Sequence, residues 1–178
     1  MKIKGLLGII TAPLIHGSLG HLFSNSIPLL LLGSFLFYFY RPVAYKVFFL
    51  IYFIHGVWVW VFARENYHIG ASGLVYGEAA FLFLSGIIRR EPRVLALSML
   101  VVFMYGSMVW GIFPDFFPNT NISWESHLMG MLAGFILAIY FRKEGPQSKK
   151  YSWELEEEVE DENNGQIKIN YNYKEEKN

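Results

Sequence analysis

Five long apolar runs separated by short polar turns dictate what this chain can fold into. They cover about residues 21–40, 44–62, 71–88, 94–113 and 126–141. Most come close to the roughly 17–25 residues that an α-helix needs to cross a bilayer. Inside hydrocarbon every backbone N–H and C=O must be satisfied by the protein itself, so only helices and closed barrels can span. Five tightly linked runs of this length cannot close a barrel. The expected fold class is therefore all-α, a polytopic bundle of membrane helices with five spans.

The charges divide the chain in two. Residues 1–141 carry only Glu65, Glu78, Glu91, Asp115 and Glu125 as acidic side chains, and the other acids fall in 142–178. The net charge of zero thus describes two unlike pieces and says little about partners. The expected division is a membrane domain over 1–141 and a charged, disordered cytoplasmic tail over 142–178. An acidic block lies at 154–162 in that tail, and the alternation at 167–173 has no evident partner strand.

Basic residues set the expected orientation. One set of turns holds Arg41 with Lys46, then Arg89, Arg90 and Arg93, then Arg142, Lys143, Lys149 and Lys150. The opposite set holds Arg64, and residues 114–125 contain no Lys or Arg. The bias of Lys and Arg toward the cytoplasm puts the first set and the tail inside. Lys2 and Lys4 ahead of the apolar stretch 5–15 resemble a secretory leader, but no small-residue cleavage site follows and Pro13 interrupts the run. That stretch is too short to span, and Gly17 and Gly20 suggest a loop before the first span.

No cysteine is present, which excludes disulfides and thiol chemistry. No zinc or haem ligand spacing occurs. The reading calls for no cofactor, no metal and no nucleic-acid partner; the expected surroundings are the lipid bilayer and other transmembrane proteins.

Polar side chains within spans are expensive, and each raises a question of function. Gly70-Ala71-Ser72-Gly73 opens the third run, with Tyr76 and Gly77 beyond it. Gly73 and Gly77 make a flat strip for close packing in lipid, and Tyr76 shares the helical face of Ser72. A small-residue packing motif with an incidental serine is the plain alternative. His127, at the start of the fifth run, shares a face with Gly130 and Gly134. His21 and Asn25 project together from the start of the first. All four polar groups fall at a similar depth near the outer face. Pressing the two glycine strips together would bring His127 to Ser72.

A serine hydroxyl with a neutral imidazole beside it is the minimum for acyl transfer. The backbone N–H of Ser72, the His21 ring and the Asn25 amide are candidate donors to the oxyanion. Glu125 lies on a different face from His127, so a two-residue dyad is expected. His55 and His68 are expected to take no catalytic part, His16 to fix the preceding loop, and Glu78 to pair with His55.

Together these residues resemble the rhomboid family of intramembrane serine proteases. The resemblance rests on His16-x4-His21-x3-Asn25, the Gly70-Ala71-Ser72-Gly73 motif with Tyr76, and His127-x2-Gly130-x3-Gly134, over about residues 10–141. It implies Ser72 as nucleophile, His127 as base, and His21 and Asn25 in the oxyanion hole. Tyr76 would orient the His127 ring, and Gly130 and Gly134 would seat the fifth span. The fourth span and residues 114–125 would form a mobile gate and cap over a cavity open to the outside. Substrates would be single-span membrane proteins. The family core has six spans against five here, and the span expected ahead of His16 has no counterpart, so the expectation is either a misplaced start or a fragment. The alternatives are a non-catalytic binder of membrane helices on the same fold, and a transporter or channel with Glu78 and His55 along its path.

Overall fold

The computed structural model describes residues 5–114 and 123–148. Helices dominate: α1 (Leu6–Thr11) with a 3-10 turn at Ala12–Leu14, α2 (Leu19–Phe39), α3 (Ala44–Phe62), α4 (Ser72–Arg89), α5 (Pro92–Tyr105) with a 3-10 segment at Gly106–Ile112, and α6 (Trp124–Tyr140). Four of these stretches, α2, α3, α4 and Pro92–Ile112, are long and apolar enough to cross a membrane. The 17 residues of α6 rise about 25 Å, within reach of a bilayer core. The all-α polytopic bundle expected from the apolar runs is the observed architecture. The expected tail and the expected cap lie largely outside the described residues.

The ends of the helices follow from local chemistry. Ser18 caps α2 by accepting from the His21 backbone N–H at 3.1 Å. Gly70 has φ +99°, a left-handed conformation that turns the chain into α4. At the other end of α4, Arg90 is left-handed (φ 54°), and Glu91 caps α5 through the Arg93 and Val94 N–H groups, each at 3.0 Å. Pro92 sits in the first turn of α5, where its missing N–H costs nothing. Ser123 caps α6.

α4 is the central post. It packs against α6, α5, α2 and α3, and most of its residues are buried. The other spans turn many large apolar side chains outward, as helices facing lipid do. Because α4 is screened from hydrocarbon, it tolerates Ser72, Glu78, Ser85 and Arg89 and is the least hydropathic of those four stretches. Arg89, nearly inaccessible, ties its lower end to α6. Its guanidinium donates to the carbonyls of Phe141 (2.6 Å), Pro146 (3.0 Å) and Arg142 (3.3 Å), and to Ser85 Oγ (2.8 Å). Phe141 is the C-cap of α6 and Arg142 and Pro146 follow it, so a cation there bonds carbonyls at and beyond the helix end and matches the helix dipole.

Two elements differ from the sequence expectation. The apolar stretch 5–15, too short to span and given no element from the sequence, holds α1, laid along α3, with Ile9 against Gly56 and Tyr52 Oη donating to the Ile10 carbonyl. So short a helix owes its existence to those contacts rather than to its own propensity. The fourth span, expected unbroken over 94–113, tightens into a 3-10 helix at Gly106. Side chains from α4 and α6 take carbonyls of this segment: Tyr76 Oη donates to Met108 O, and His127 donates to Gly111 O.

Arg89→Ala is expected to cost about 3 kcal/mol, because several buried carbonyls lose a charged donor at once, and Arg89→Lys should recover part of it. Thermal unfolding in detergent, followed by circular dichroism, checks the order wild type, Lys, Ala.

Candidate active site

The glycines of α6 lie directly on the backbone of α4. A methyl group on Gly130 would collide with the Gly73 carbonyl, and one on Gly134 with the Gly77 carbonyl. The two strips read from the sequence are thus in contact. At their upper end Ser72 Oγ donates to His127 Nε2 at 3.0 Å.

The tautomer of His127 follows from its other nitrogen. Nδ1 lies 2.9 Å from the Gly111 carbonyl oxygen. A carbonyl only accepts, so Nδ1 carries the proton and donates. Nε2 then presents its lone pair to the serine, as a base must. The Tyr76 ring stacks on the imidazole at 4.2 Å between centroids, 6° from parallel. Tyr76 is itself held by its hydroxyl, which donates to the Met108 carbonyl at 2.5 Å. The imidazole is therefore oriented by a ring and a carbonyl, not by a carboxylate. Gly111 was not evident from the sequence. Its only mark there is a glycine within an apolar run, yet a methyl at this position would meet the Tyr76 hydroxyl.

His21 and Asn25 reach the same place from α2. A side chain on Gly70 would sit 2.6 Å from His21 Nε2 and 3.0 Å from Asn25 Nδ2, so glycine is needed there for space as well as for φ. Asn25 is buried, and its Nδ2 has no partner among the described residues. Ser72 is the first residue of α4, and its N–H lies outside the helical ladder. Ser72, Tyr76, His127, His21 and Asn25 line one crevice of about 780 Å³. A serine–imidazole contact and two further polar side chains from α2 therefore share one cavity. His16 does not line it. Its ring packs edge-on to His21 at 5.1 Å between centroids, with both nitrogens unbonded among the described residues.

The expected Glu78–His55 pair does not form. His55 turns toward α6, where Nε2 shares a 2.7 Å hydrogen bond with Ser126 Oγ. Glu78 is fully buried on another side of α4, facing Gly33 of α2. The two side chains leave their helices toward different neighbours. His68 accepts at Nδ1 from Ser123 Oγ (2.5 Å) and donates from Nε2 to the Arg64 carbonyl (2.9 Å). Glu125, on a different face from His127, pairs with Arg64 at 2.9 Å. Among the described residues no group of three or more His, Asp or Glu converges to hold a metal ion.

Apolar helices wrapped around a polar central helix, with a serine and an imidazole in contact at one end, are the frame of an integral membrane protein. The chain belongs to the rhomboid family: residues 4–144 match the Rhomboid domain. It is 34% identical over 149 residues to the uncharacterized protein Rv1337 of Mycobacterium tuberculosis, covering 78% of this chain and 60% of that one. The uncharacterized protein Mb1372 of Mycobacterium bovis matches to the same extent. The uncharacterized protein ML1171 of Mycobacterium leprae is 31% identical over 145 residues, covering 78% of this chain and 57% of that protein. The chain thus spans about 60% of the length of the curated relatives it matches. No solved structure matches it.

Gly130→Ala is expected to cost about 1–3 kcal/mol by forcing α6 off α4. Gly8→Ala, where a methyl meets nothing within 4 Å, should stay within about 1 kcal/mol of wild type or gain slightly. Unfolding in mixed micelles compares the pair, and equal effects would mean that the glycine contact does not set the packing.

Proposed function

We propose that this chain is a serine endopeptidase that cleaves single-span membrane proteins, with Ser72 as nucleophile and His127 as general base. The observation that carries the reading is the 3.0 Å contact between Ser72 Oγ and His127 Nε2 inside the crevice that His21 and Asn25 also line. Ser72 Oγ bonds to the scissile carbonyl carbon while its proton passes to Nε2. The tetrahedral oxyanion takes hydrogen bonds from the Ser72 N–H, Asn25 Nδ2 and the His21 ring. Each such donor is worth about 10²–10³ in rate. His127 then gives its proton to the departing amine as the C–N bond breaks. Water attacks the ester with His127 again as base and releases Ser72. The Gly111 carbonyl stabilises the imidazolium formed in each step, and Tyr76 keeps the ring in plane with it.

The active site opens to the outer face and the tail lies in the cytoplasm, a reading supported by the Lys and Arg distribution. Substrate helices reach the site past a mobile gate and cap, for which the resemblance implies the fourth span (about 94–113) and residues 114–125. Both the gate and the substrate class rest on the family resemblance and on the crevice.

Cleavage of a single-span reporter reconstituted with the full chain in liposomes tests this. Ser72→Ala and His127→Ala should each lower turnover about 10⁴-fold or more, while Tyr76→Phe, which keeps the stacked ring, should retain measurable cleavage. Reporter binding without cleavage by wild type, unchanged in Ser72→Ala, would favour a non-catalytic binder of membrane helices.

A further inference from the structure

We propose that His55 of α3 is a positioning residue for the Ser72–His127 pair, setting the rotation of α6 through Ser126. The inference rests on the reading of that pair as catalytic and adds a residue outside it.

His55 is 5% exposed and sits in the middle of a span, where an imidazole is costly unless it is used. Its ring meets both helices that carry the pair, each time at the neighbouring residue. On α4 it lies against Gly73, the residue after Ser72, where any added methyl would overlap the imidazole. On α6 it bonds Ser126, the residue before His127, at 2.7 Å, and Ser126 is also buried. One side chain of a third helix thus spans from the position behind the nucleophile to the position before the base.

The α4–α6 contact does not do this work alone. Gly130 and Gly134 set how close the two backbones come, but a strip without side chains offers little resistance to rotation of α6 about its own axis. Successive residues on a helix point about 100° apart. Ser126 therefore aims at α3 while His127 aims at α4, and a rotation that draws His127 from Ser72 also breaks the His55–Ser126 bond. In a dry, low-dielectric setting that bond resists breakage, because neither partner finds water as a substitute. His55 Nδ1 has no partner among the described residues, so the ring's hydrogen bonding depends on Ser126. A misplacement of about 1 Å costs on the order of 10²-fold in rate, which is the size of effect available to such a clamp.

The test is the kinetics of covalent labelling of the full chain by a fluorophosphonate in detergent, separating the inactivation rate constant from the probe's apparent affinity. Ser126→Ala and His55→Ala should each slow inactivation about 10–100-fold with affinity within about twofold of wild type. The double variant should be no slower than the slower single, since one bond is lost in all three. His55→Gln, which offers an amide nitrogen at a similar reach, should restore most of the rate. Melting points are taken alongside, and if His55→Ala does not fold, Ser126→Ala and His55→Gln decide. Inactivation of Ser126→Ala at the wild-type rate, losses that multiply in the double variant, or a His55→Gln as slow as Ser126→Ala would each overturn the positioning role. Normal labelling in every variant leaves the catalytic pair standing without the clamp. No labelling of wild type itself would remove the pair, and the clamp with it.

Discussion

A serine side chain is short, so everything at this site depends on how near two helix backbones can come. Gly130 and Gly134 of α6 rest on the carbonyls of Gly73 and Gly77 of α4. In lipid there is little hydrophobic gain from bringing helices together, and close packing of small residues is a main source of affinity between them. The same contact that stabilises the bundle therefore brings the Ser72 hydroxyl to the His127 imidazole. With larger residues at these positions the helices would separate, and Ser72 Oγ would lose the imidazole 3.0 Å away.

Polar groups in this protein are hidden from hydrocarbon by position rather than by scarcity. α4 takes the centre, and the other spans shield it. At its upper end the polar load is Ser72 with its donors. At its lower end Arg89 holds the terminal carbonyls of α6 and lies over the Tyr40 ring at 5.4 Å. α6 is thus held near both ends, by Arg89 below and by its hydrogen bonds with His55, Ser72 and the Gly111 carbonyl above. Glu78, between them, is fully buried with neither carboxylate oxygen bonded among the described residues. Nothing in the fold explains why a carboxyl stands there.

The legible features of the sequence were those set by spacing along one helix. Glycines at 73, 77, 130 and 134, and His21 with Asn25, obey the i, i+4 rule, and the faces they imply are the faces observed. Spacing puts Tyr76 on the face of Ser72, whereas its place over the His127 ring was implied by the family resemblance alone. What stayed hidden depends on which helices are neighbours. His55 and Ser126 are 71 positions apart, and no periodicity links them. The Gly111 carbonyl is a backbone group, invisible in residue types. The break in the fourth span was masked because residues 94–113 are apolar throughout, whether coiled as α- or 3-10 helix. The expected Glu78–His55 pairing fails because it joins two buried polar groups without regard to the direction in which each side chain leaves its helix.

The most direct measurement is peptide mapping by mass spectrometry of the full chain after exposure to a fluorophosphonate, with His127→Ala in parallel. A single phosphonylated residue, Ser72, is expected in wild type, with the adduct lost in His127→Ala while Ser24, Ser123 and Ser126 stay unmodified in both. An unmodified Ser72 in folded wild type, or equal modification with and without the imidazole, would contradict a nucleophile made reactive by its contact with His127.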